Sequence, residues 1–369
     1  MNGSTLAADA ALNLKPSTIP SISIQSSSNA VSNWLFACSG LVFGMVVLGG
    51  VTRLTKSGLS MVDWKIQGGL PPMSPESWQH EFDKYKQFPE YKKARCGMTL
   101  EEFQSIYYYE WGHRMLGRVL GVAFAAPFAW FAWRGALSRP LTLKLTGLLG
   151  FGGLQGLVGW WMVKSGLEEQ PEEFGEPRVS PYRLATHLIS AFALYGGLIH
   201  TAIGERRSWN PVLVPRRVRS AAMGVVHLAV ATAMSGAFVA GNRAGLVYNE
   251  WPLMGNGFIP DDLSLPHLTE SPWRNCFENM SLVQFEHRTL AYATLLSAGL
   301  LWIAARRPHV PVLARRGANL VTGTALAQAS LGIATLLTHV PVELATMHQA
   351  GSLALLTSTI WLLRHIRIK

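Results

Sequence analysis

Eight apolar stretches dominate this chain, and each is long enough to cross a membrane as a helix. They run over 32–52, 112–134, 143–164, 183–203, 219–240, 286–305, 317–338 and 344–363. Only 15% of the residues are charged, which is low for a soluble domain. Tryptophans such as Trp34, Trp111 and Trp133 stand near the ends of these stretches, as is typical of interfacial anchors. The sequence therefore predicts an all-α polytopic membrane protein with eight transmembrane helices.

The formal charge of +10 is distributed unevenly among the connections between these stretches. Arginine and lysine dominate the connections 134–144, 204–219 and 306–316 and the C-terminal tail, whereas the alternate connections carry most of the acids. This alternation follows the positive-inside rule and predicts that both termini face the cytoplasm or the matrix. Because topology accounts for the excess charge, we do not expect a nucleic-acid partner.

The first 30 residues are polar, rich in serine and nearly uncharged. This composition predicts a disordered tail at 1–30. Cys96 and Cys276 fall in two different outer connections, where oxidation is possible. A bridge between them and two unpaired thiols are equal alternatives at this point.

The second half of the chain repeats the first. Three pairs of segments correspond in order and in residue type: SGLSMVDW with AGLVYNEW, EWGHR with QFEHR, and ATHLIS with TMHQAG. An even number of helices in each repeat gives both halves the same orientation. We therefore expect two pseudo-symmetric four-helix bundles, an N-terminal bundle at 31–205 and a C-terminal bundle at 206–369.

Each half carries two histidines at similar depth, His113 and His187 in the first and His287 and His348 in the second. Ionisable groups at membrane depth are costly and usually functional. Two imidazoles facing each other across a bundle are a common ligand pair for haem iron. Zinc fits less well, because it usually takes three or four protein ligands. A histidine that only makes a hydrogen bond in the core is the alternative for any one of the four.

Arginines accompany these histidines. Arg114 and Arg288 directly follow His113 and His287, and Arg118 lies one helical turn after Arg114. Guanidinium groups bind carboxylates in a bidentate manner, so these arginines are candidate contacts for haem propionates. The alternative is an interfacial arginine that extends to the lipid headgroups.

Glu110 distinguishes the two halves, since the corresponding residue in the second half is Gln284. It precedes His113 by one helical turn, so both side chains share one helix face. A partly desolvated glutamate can exchange protons with a reacting group, which makes Glu110 the candidate catalytic residue. A structural pairing with Arg114 is the alternative.

The long outer connection after the first stretch is predicted to be ordered. Trp78, Phe82 and Tyr85 recur at helical spacing and predict an amphipathic helix. Thr99 and Glu102 form a capping-box pattern, which predicts the start of a helix that continues into the second stretch.

Several long motifs resemble the haem A synthase family, of the mitochondrial and alphaproteobacterial type. They are GGVTRLTKSGLSMVDW, FDKYKQFPEYK, YEWGHRMLGR, GWWMVKSGLEE, PRVSPYRLATHL, NEWPLMG and VQFEHRTLAY. The resemblance covers about residues 40–355. It implies an oxidoreductase that converts the C8 methyl group of haem O to a formyl group by successive hydroxylations, giving haem A for cytochrome c oxidase assembly.

The resemblance also implies a different role for each half. The first-half histidines would ligate the iron of haem O, near a glutamate that matches the family's essential one, Glu110. The second-half histidines, with Arg288, would hold a permanent haem b. Haem O synthase would deliver the substrate, a ferredoxin-type protein or a quinol would donate electrons, and the chain could form a homo-oligomer. The expected location is the mitochondrial inner membrane with the haem sites toward the intermembrane space, or a bacterial plasma membrane with the sites toward the periplasm.

Two other classes of function are open from the residues alone. A di-haem b-type electron-transfer subunit, such as a quinol oxidoreductase, would hold two equivalent, permanent haems. A transporter would place polar residues near the middle of the membrane on interrupted helices. The four histidines here all stand near one end of their helices, which favours a haem protein.

Overall fold

The computed structural model describes residues 28–169, 176–265 and 271–369. The predicted disordered tail lies outside the described residues except for 28–30, which begin the first helix. Eight helices of the described chain have 24 residues or more: α1 (Ser28–Leu54), α4 (Leu100–Trp133), α5 (Arg139–Leu167), α6 (Pro181–Gly204), α7 (Arg216–Asn242), α9 (Met280–Ala305), α10 (Val312–Leu337) and α11 (Val342–His365). Three shorter helices lie in the connections: α2 (Pro75–Tyr85), α3 (Pro89–Ala94) and α8 (Pro272–Glu278).

Seven of the long helices are long and apolar enough to cross a membrane: α1, α4, α5, α6, α7, α9 and α10. This finding confirms the predicted class, an all-helical polytopic membrane protein. The eighth long helix, α11, has 24 residues, but its first two turns carry the polar residues Glu343, His348 and Gln349. These polar residues set α11 apart from the seven apolar helices.

The outer connection between α1 and α4 is ordered, as predicted. Trp78, Phe82 and Tyr85 are the buried residues of α2, and Phe82 stacks on Phe103 of α4 with ring centroids 4.9 Å apart. Thr99 caps α4, since its hydroxyl accepts from the Glu102 N–H while the Glu102 carboxylate accepts from the Thr99 N–H. The capping box explains why α4 starts well before its apolar stretch.

The long helices pack in two rings with the same order of contacts. In the first ring α1 contacts α4, α4 contacts α5, α5 contacts α6, and α6 returns to α1. In the second ring α7, α9, α10 and α11 contact one another in the same cyclic order. The rings meet where α11 packs on α1 and α6, and where α6 packs on α7. Each ring has its own apolar core, which includes Leu145 and Leu198 in the first and Val225 and Leu301 in the second.

The far end of the molecule from the histidines carries a two-stranded parallel sheet that the sequence did not predict. Strand β1 (Val212–Val214) lies in the connection between the rings and pairs with β2 (Ile366–Ile368) at the C-terminus. The pairing ties the connection to the last helix. Cys96 and Cys276 are both free thiols, so of the two alternatives the structure has the unpaired one.

Candidate functional site

A cavity of about 910 Å³ lies within the first ring, with walls from α1, α4, α5 and α6. This volume is at the upper end of the range for small-molecule pockets, so the cavity fits a large ligand. Eight glycines of α1, α4 and α5 line it: Gly49, Gly50, Gly117, Gly121, Gly152, Gly153, Gly156 and Gly159. Without side chains at these positions, a flat ligand can approach the helix backbones closely.

His113 of α4 and His187 of α6 both line this cavity. Each imidazole lies against a glycine of the neighbouring helix. A Cβ atom built on Gly49 would come 3.0 Å from Cε1 of His113, and one built on Gly159 would come 3.2 Å from Cε1 of His187. Any larger residue at either glycine would push the imidazole away, so the glycines set the positions of the two imidazoles.

The second ring repeats this arrangement. A Cβ atom built on Gly236 of α7 would come 3.0 Å from Cε1 of His287, and one built on Gly332 of α10 would come 2.7 Å from Cε1 of His348. The centroids of the His287 and His348 rings are 6.4 Å apart, and the ring planes are perpendicular. Two imidazoles on opposite sides of one metal have centroids about 6 Å apart, because each metal–nitrogen bond is about 2 Å and each centroid lies about 1 Å behind its nitrogen. The spacing of the pair is therefore one at which both imidazoles could hold a single iron.

Two imidazoles fit haem better than a metal ion held by protein side chains alone. Among the described residues no group of three or more histidine, cysteine, aspartate or glutamate side chains could hold a metal ion. A haem supplies four ligands from its own macrocycle, so a pair of imidazoles is sufficient.

The two histidine pairs differ in their hydrogen bonds. Nδ1 of His287 lies 2.9 Å from Ser235 Oγ, and Nδ1 of His348 lies 3.2 Å from the carbonyl oxygen of Gln328. A carbonyl only accepts, so Nδ1 of His348 carries the proton and its Nε2 keeps the lone pair for a metal. In the first ring Nδ1 of His187 makes no hydrogen bond with the described residues, and Nδ1 of His113 has only a weak contact with the backbone of Met45. The second pair is thus held by closer hydrogen bonds than the first.

A glutamine on the third helix of each ring shows the same difference. Gln328 of α10 donates from Nε2 to the carbonyl oxygen of His348 over 2.9 Å, while its buried Oε1 has no partner in the described chain. Its counterpart Gln155 of α5 lines the cavity, and both polar atoms of its amide are buried without a partner in the described chain. Unpaired buried polar groups are costly, so this cavity is built to receive a ligand that reduces that cost.

Glu110 is 3% exposed and is held by three donors. Its Oε2 accepts from Ser60 Oγ at 2.7 Å and from the Met61 N–H at 2.8 Å, and its Oε1 accepts from Arg114 Nη2 at 2.6 Å. The contact with Arg114 is the structural alternative considered from the sequence, and it is present. Glu110 nevertheless also lines the cavity, one turn from His113.

Gln284 occupies the matching place in the second ring and is equally buried, at 3%. It donates from Nε2 to the carbonyl oxygen of Ala244 at 2.8 Å, and its Oε1 accepts from Arg288 Nη2 at 3.1 Å. The i to i+4 contact with arginine is therefore common to both rings. At this position the two rings differ in one group, a carboxylate in the first and an amide in the second.

The three arginines predicted to contact propionates all bind backbone carbonyls of the loop that follows the first helix of their ring. Arg114 donates to Met61 and Asp63, Arg118 to Lys65 and Ile66, and Arg288 to Tyr248 and Leu253. Arg114 and Arg118 also line the cavity. The propionate contacts stay a prediction, and the observed function of these side chains is to fasten the two loops.

The chain is similar to known proteins over most of its length. Residues 32–360 match the profile of the COX15-CtaA family, described as cytochrome oxidase assembly protein. The chain belongs to this family. A relative from Arabidopsis thaliana named heme A synthase COX15 is 49% identical over 337 residues, which cover 89% of this chain and 72% of the relative.

Two further relatives extend the match to animals and bacteria. The Homo sapiens protein named heme A synthase COX15 is 45% identical over 370 residues, covering 95% of this chain and 88% of the relative. The Nitrosospira multiformis protein named heme A synthase is 44% identical over 344 residues, covering 91% and 93%. This COX15-CtaA member thus resembles mitochondrial and bacterial relatives over most of its length.

Within this COX15-CtaA chain, the mouth of the cavity carries a group of cations that the sequence reasoning missed. They are Arg53, Lys56, Arg95, Arg178 and Arg243, and all five line the cavity. Two of them occupy equivalent places in the repeat, since Lys56 precedes Ser-Gly-Leu and Arg243 precedes Ala-Gly-Leu. This correspondence in the repeat is the sequence signal from which Lys56 and Arg243 could have been predicted.

Lys56 and Arg243 also share one partner and one backbone geometry. Both contact Oε2 of Glu176, at 2.7 Å and 2.6 Å, and both have positive φ angles, 54° and 58°. Hydrogen bonds from Lys56 and Arg243 keep the pKa of Glu176 below its usual range. The mouth is therefore a cationic rim joining the two halves of the COX15-CtaA fold, with one carboxylate between the cations.

Proposed function

We propose that this chain is a haem A synthase, an oxidoreductase that converts the C8 methyl group of haem O to a formyl group. The product, haem A, would serve cytochrome c oxidase assembly. Membership of the COX15-CtaA family supports this function, as do the relatives named heme A synthase. The alternative, a di-haem b-type electron-transfer subunit, has no support among these relatives.

The observation that carries the proposal is the difference between two otherwise equivalent histidine pairs. Both pairs rest on glycines of the neighbouring helix. The first pair faces a large cavity, has weaker hydrogen bonds at Nδ1 and has a carboxylate one turn away, where the second ring has Gln284. These are properties of a site that takes up, changes and releases its ligand. The anchored second pair suits a ligand that stays.

In the substrate site, His113 and His187 would hold the iron of haem O. The bound haem would supply the redox chemistry that oxidises the methyl group. Glu110 would meet the reacting group and transfer protons at its carboxylate oxygens, while Ser60 and Arg114 hold it in place. Arg114 and Arg118 would contact the propionates from the cavity wall, and the cationic rim would supply further positive charge at the mouth. The same two arginines hold the loop that closes over the site.

In the second ring His287 and His348 would hold a permanent haem b, with Arg288 near it. The 6.4 Å centroid spacing and the fixed Nδ1 atoms support this assignment. Haem b would pass electrons to the substrate site from an external donor, a ferredoxin-type protein or a quinol. Haem O synthase would supply the substrate, and a homo-oligomer is compatible with these roles.

We also propose that α11 is an eighth span and that the rings are two pseudo-symmetric four-helix bundles, 31–205 and 206–369. The identical cyclic order of helix contacts and the four glycine–histidine pairs support this symmetry. By the positive-inside rule, the histidine-bearing end would face the intermembrane space of mitochondria or the periplasm of bacteria. The membrane would then be the mitochondrial inner membrane or a bacterial plasma membrane.

Pigment analysis of the purified protein tests the function. We expect haem b together with haem O or haem A, in a ratio near one of each per chain. Haem b alone in both sites would refute the synthase and favour an electron-transfer subunit.

Glu110→Gln tests the catalytic residue, because it reproduces the uncharged side chain that the second ring has at Gln284. Haem O should still bind, but haem A formation should fall by about a hundredfold or more, the usual loss when a general acid–base group is removed. The exposed Glu101→Gln on the same helix is the matched control and should behave as wild type. Normal haem A production by Glu110→Gln would contradict the assignment.

A further inference from the structure

A second buried carboxylate lines the same cavity. Glu90 belongs to the short helix α3 in the outer connection and is 6% exposed. Its Oε2 accepts from the hydroxyl group of Tyr85 at 2.9 Å, and Tyr85 itself is fully buried. Neither of the two proposed haem sites uses this carboxyl group.

Glu90 and Glu110 differ in how their oxygens are bound. Both oxygens of Glu110 are engaged by fixed donors, one of them a guanidinium group at 2.6 Å. Glu110 is therefore fixed in place by its donors. A second carboxyl group with looser contacts is better placed to exchange protons with water.

Glu90 has the weaker set of partners. Its hydrogen bond comes from a neutral phenol, and its nearest cation, Arg95, has Nε 3.9 Å from Oε1, beyond hydrogen-bond range. Nη2 of Arg95 instead donates to the carbonyl oxygens of Thr55 and Lys56. This carboxyl group can therefore gain or lose a proton without breaking an ion pair of normal geometry.

The charged and titratable neighbours of Glu90 lie on α1, α2 and α4 and on the segments that follow α1 and α3. Burial raises the pKa of Glu90 to about 7, against the opposing effects of Arg95 and the Tyr85 hydroxyl group. The charge of Glu110 on α4 adds to the rise, and Lys56 at the end of α1 opposes it. Arg53 of α1 also interacts electrostatically with Glu90. The balance leaves protonated and ionised forms both present at neutral pH.

We propose that Glu90 is the proton carrier of the cavity, taking protons from water at the cationic mouth and passing them toward Glu110 and the substrate. Lys56 at that mouth is exposed to solvent, whereas Glu90 and Glu110 line the interior. The cavity thus connects the two carboxylates with the aqueous side.

This proposal rests on the proposed function, because hydroxylation by dioxygen needs protons. In each hydroxylation one oxygen atom would enter the C–H bond and the other would leave as water. Formation of that water would consume two electrons from the external donor and two protons. Each proton bound to a Glu90 oxygen is given up toward the site, and the resulting carboxylate is reprotonated from the aqueous side.

The test compares Glu90→Gln, Tyr85→Phe and the surface control Glu101→Gln in the full-length, membrane-embedded protein. Glutamine keeps an oxygen that accepts from Tyr85, so Glu90→Gln retains the local hydrogen bond. Infrared difference spectra of the haem-containing protein, recorded between about pH 6 and pH 8, follow the C=O stretch of protonated carboxyl groups. A band that titrates near neutral pH should appear in wild type and Glu101→Gln and be absent in Glu90→Gln. In Tyr85→Phe it should titrate at higher pH, because loss of the donor destabilises the charged form.

The second readout is the pH profile of haem A formation. In wild type the rate should fall as pH rises through about 7, because the protonated form of Glu90 is the donor. Glu90→Gln should be at least about tenfold slower and lose this pH dependence, with haem O binding unchanged. An infrared band that persists in Glu90→Gln, or a wild-type pH profile in that variant, would overturn the proposal. Absence of haem A formation by the wild type would instead refute the proposed function.

Discussion

Gly332→Ala should selectively weaken binding of the haem b proposed for the second ring. The added Cβ atom would lie 2.7 Å from Cε1, 3.3 Å from Nδ1 and 3.4 Å from Nε2 of His348. The closest of these must lengthen from 2.7 Å to at least an ordinary contact of 3.4 Å, so the ring must move by about 0.7 Å. Movement away from α10 would also stretch the 3.2 Å hydrogen bond between Nδ1 and the carbonyl oxygen of Gln328.

The magnitude follows from the tolerance of metal–ligand bonds. Ligand distances in well-formed sites vary by only about 0.2 Å, so a shift of about 0.7 Å cannot be absorbed without bond loss or helix movement. Loss of the groups that orient a metal ligand typically costs about 10- to 100-fold in affinity, and we expect a loss of haem b affinity in that range. Alanine itself favours a helix over glycine by about 1 kcal/mol, so the fold should be retained.

Gly323→Ala on the same helix is the matched control, since a Cβ atom there has no neighbour within 4 Å. The assay is the haem b content per chain of each purified variant, with the thermal unfolding temperature measured in parallel. We expect haem b to be lost from Gly332→Ala and kept by Gly323→Ala, with both chains folded. Equal haem b content in the two variants would refute the reasoning from ring position.

Two further predictions concern the substrate site. Gly49→Ala should displace His113 and lower haem O retention by about tenfold or more without removing haem b, whereas Gly44→Ala on the same helix, with no neighbour within 4 Å, should change neither. Haem extraction after haem O loading measures both, and loss of haem b from Gly49→Ala would contradict separate sites. Arg243→Gln should weaken haem O retention by less than about tenfold, because this cation is partly exposed, and the loss should shrink in high salt. A salt-independent loss would argue against an electrostatic contact.

The helices and their class were predictable because their signals are local. Apolar runs mark the membrane helices, and Thr99 with Glu102 marks the start of α4. The spacing of Trp78, Phe82 and Tyr85 marks α2. The pair β1 and β2 was missed, since strands of three residues far apart in sequence carry no periodic signal.

The sequence indicated which side chains line the cavity, among them His113, His187 and Glu110, but not which groups they contact. The repeat marked the histidines and the difference between Glu110 and Gln284, because equivalent positions can be compared within one chain. It could not indicate that Arg118 binds the carbonyl oxygens of Lys65 and Ile66, since those contacts join segments about 50 residues apart. Their geometry depends on how the loop folds back on α4.

The sequence by itself determined a polytopic helical protein, an internal repeat and two pairs of candidate haem ligands, because hydropathy and residue order encode all three. Only the tertiary structure decided which glycine each imidazole rests on, which pair has its Nδ1 atoms fixed, and that Glu90 shares a cavity with Glu110. These features arise where distant segments meet. Helix packing and the fold of the outer connection set the distances between these segments. No single stretch of the sequence determines either of them.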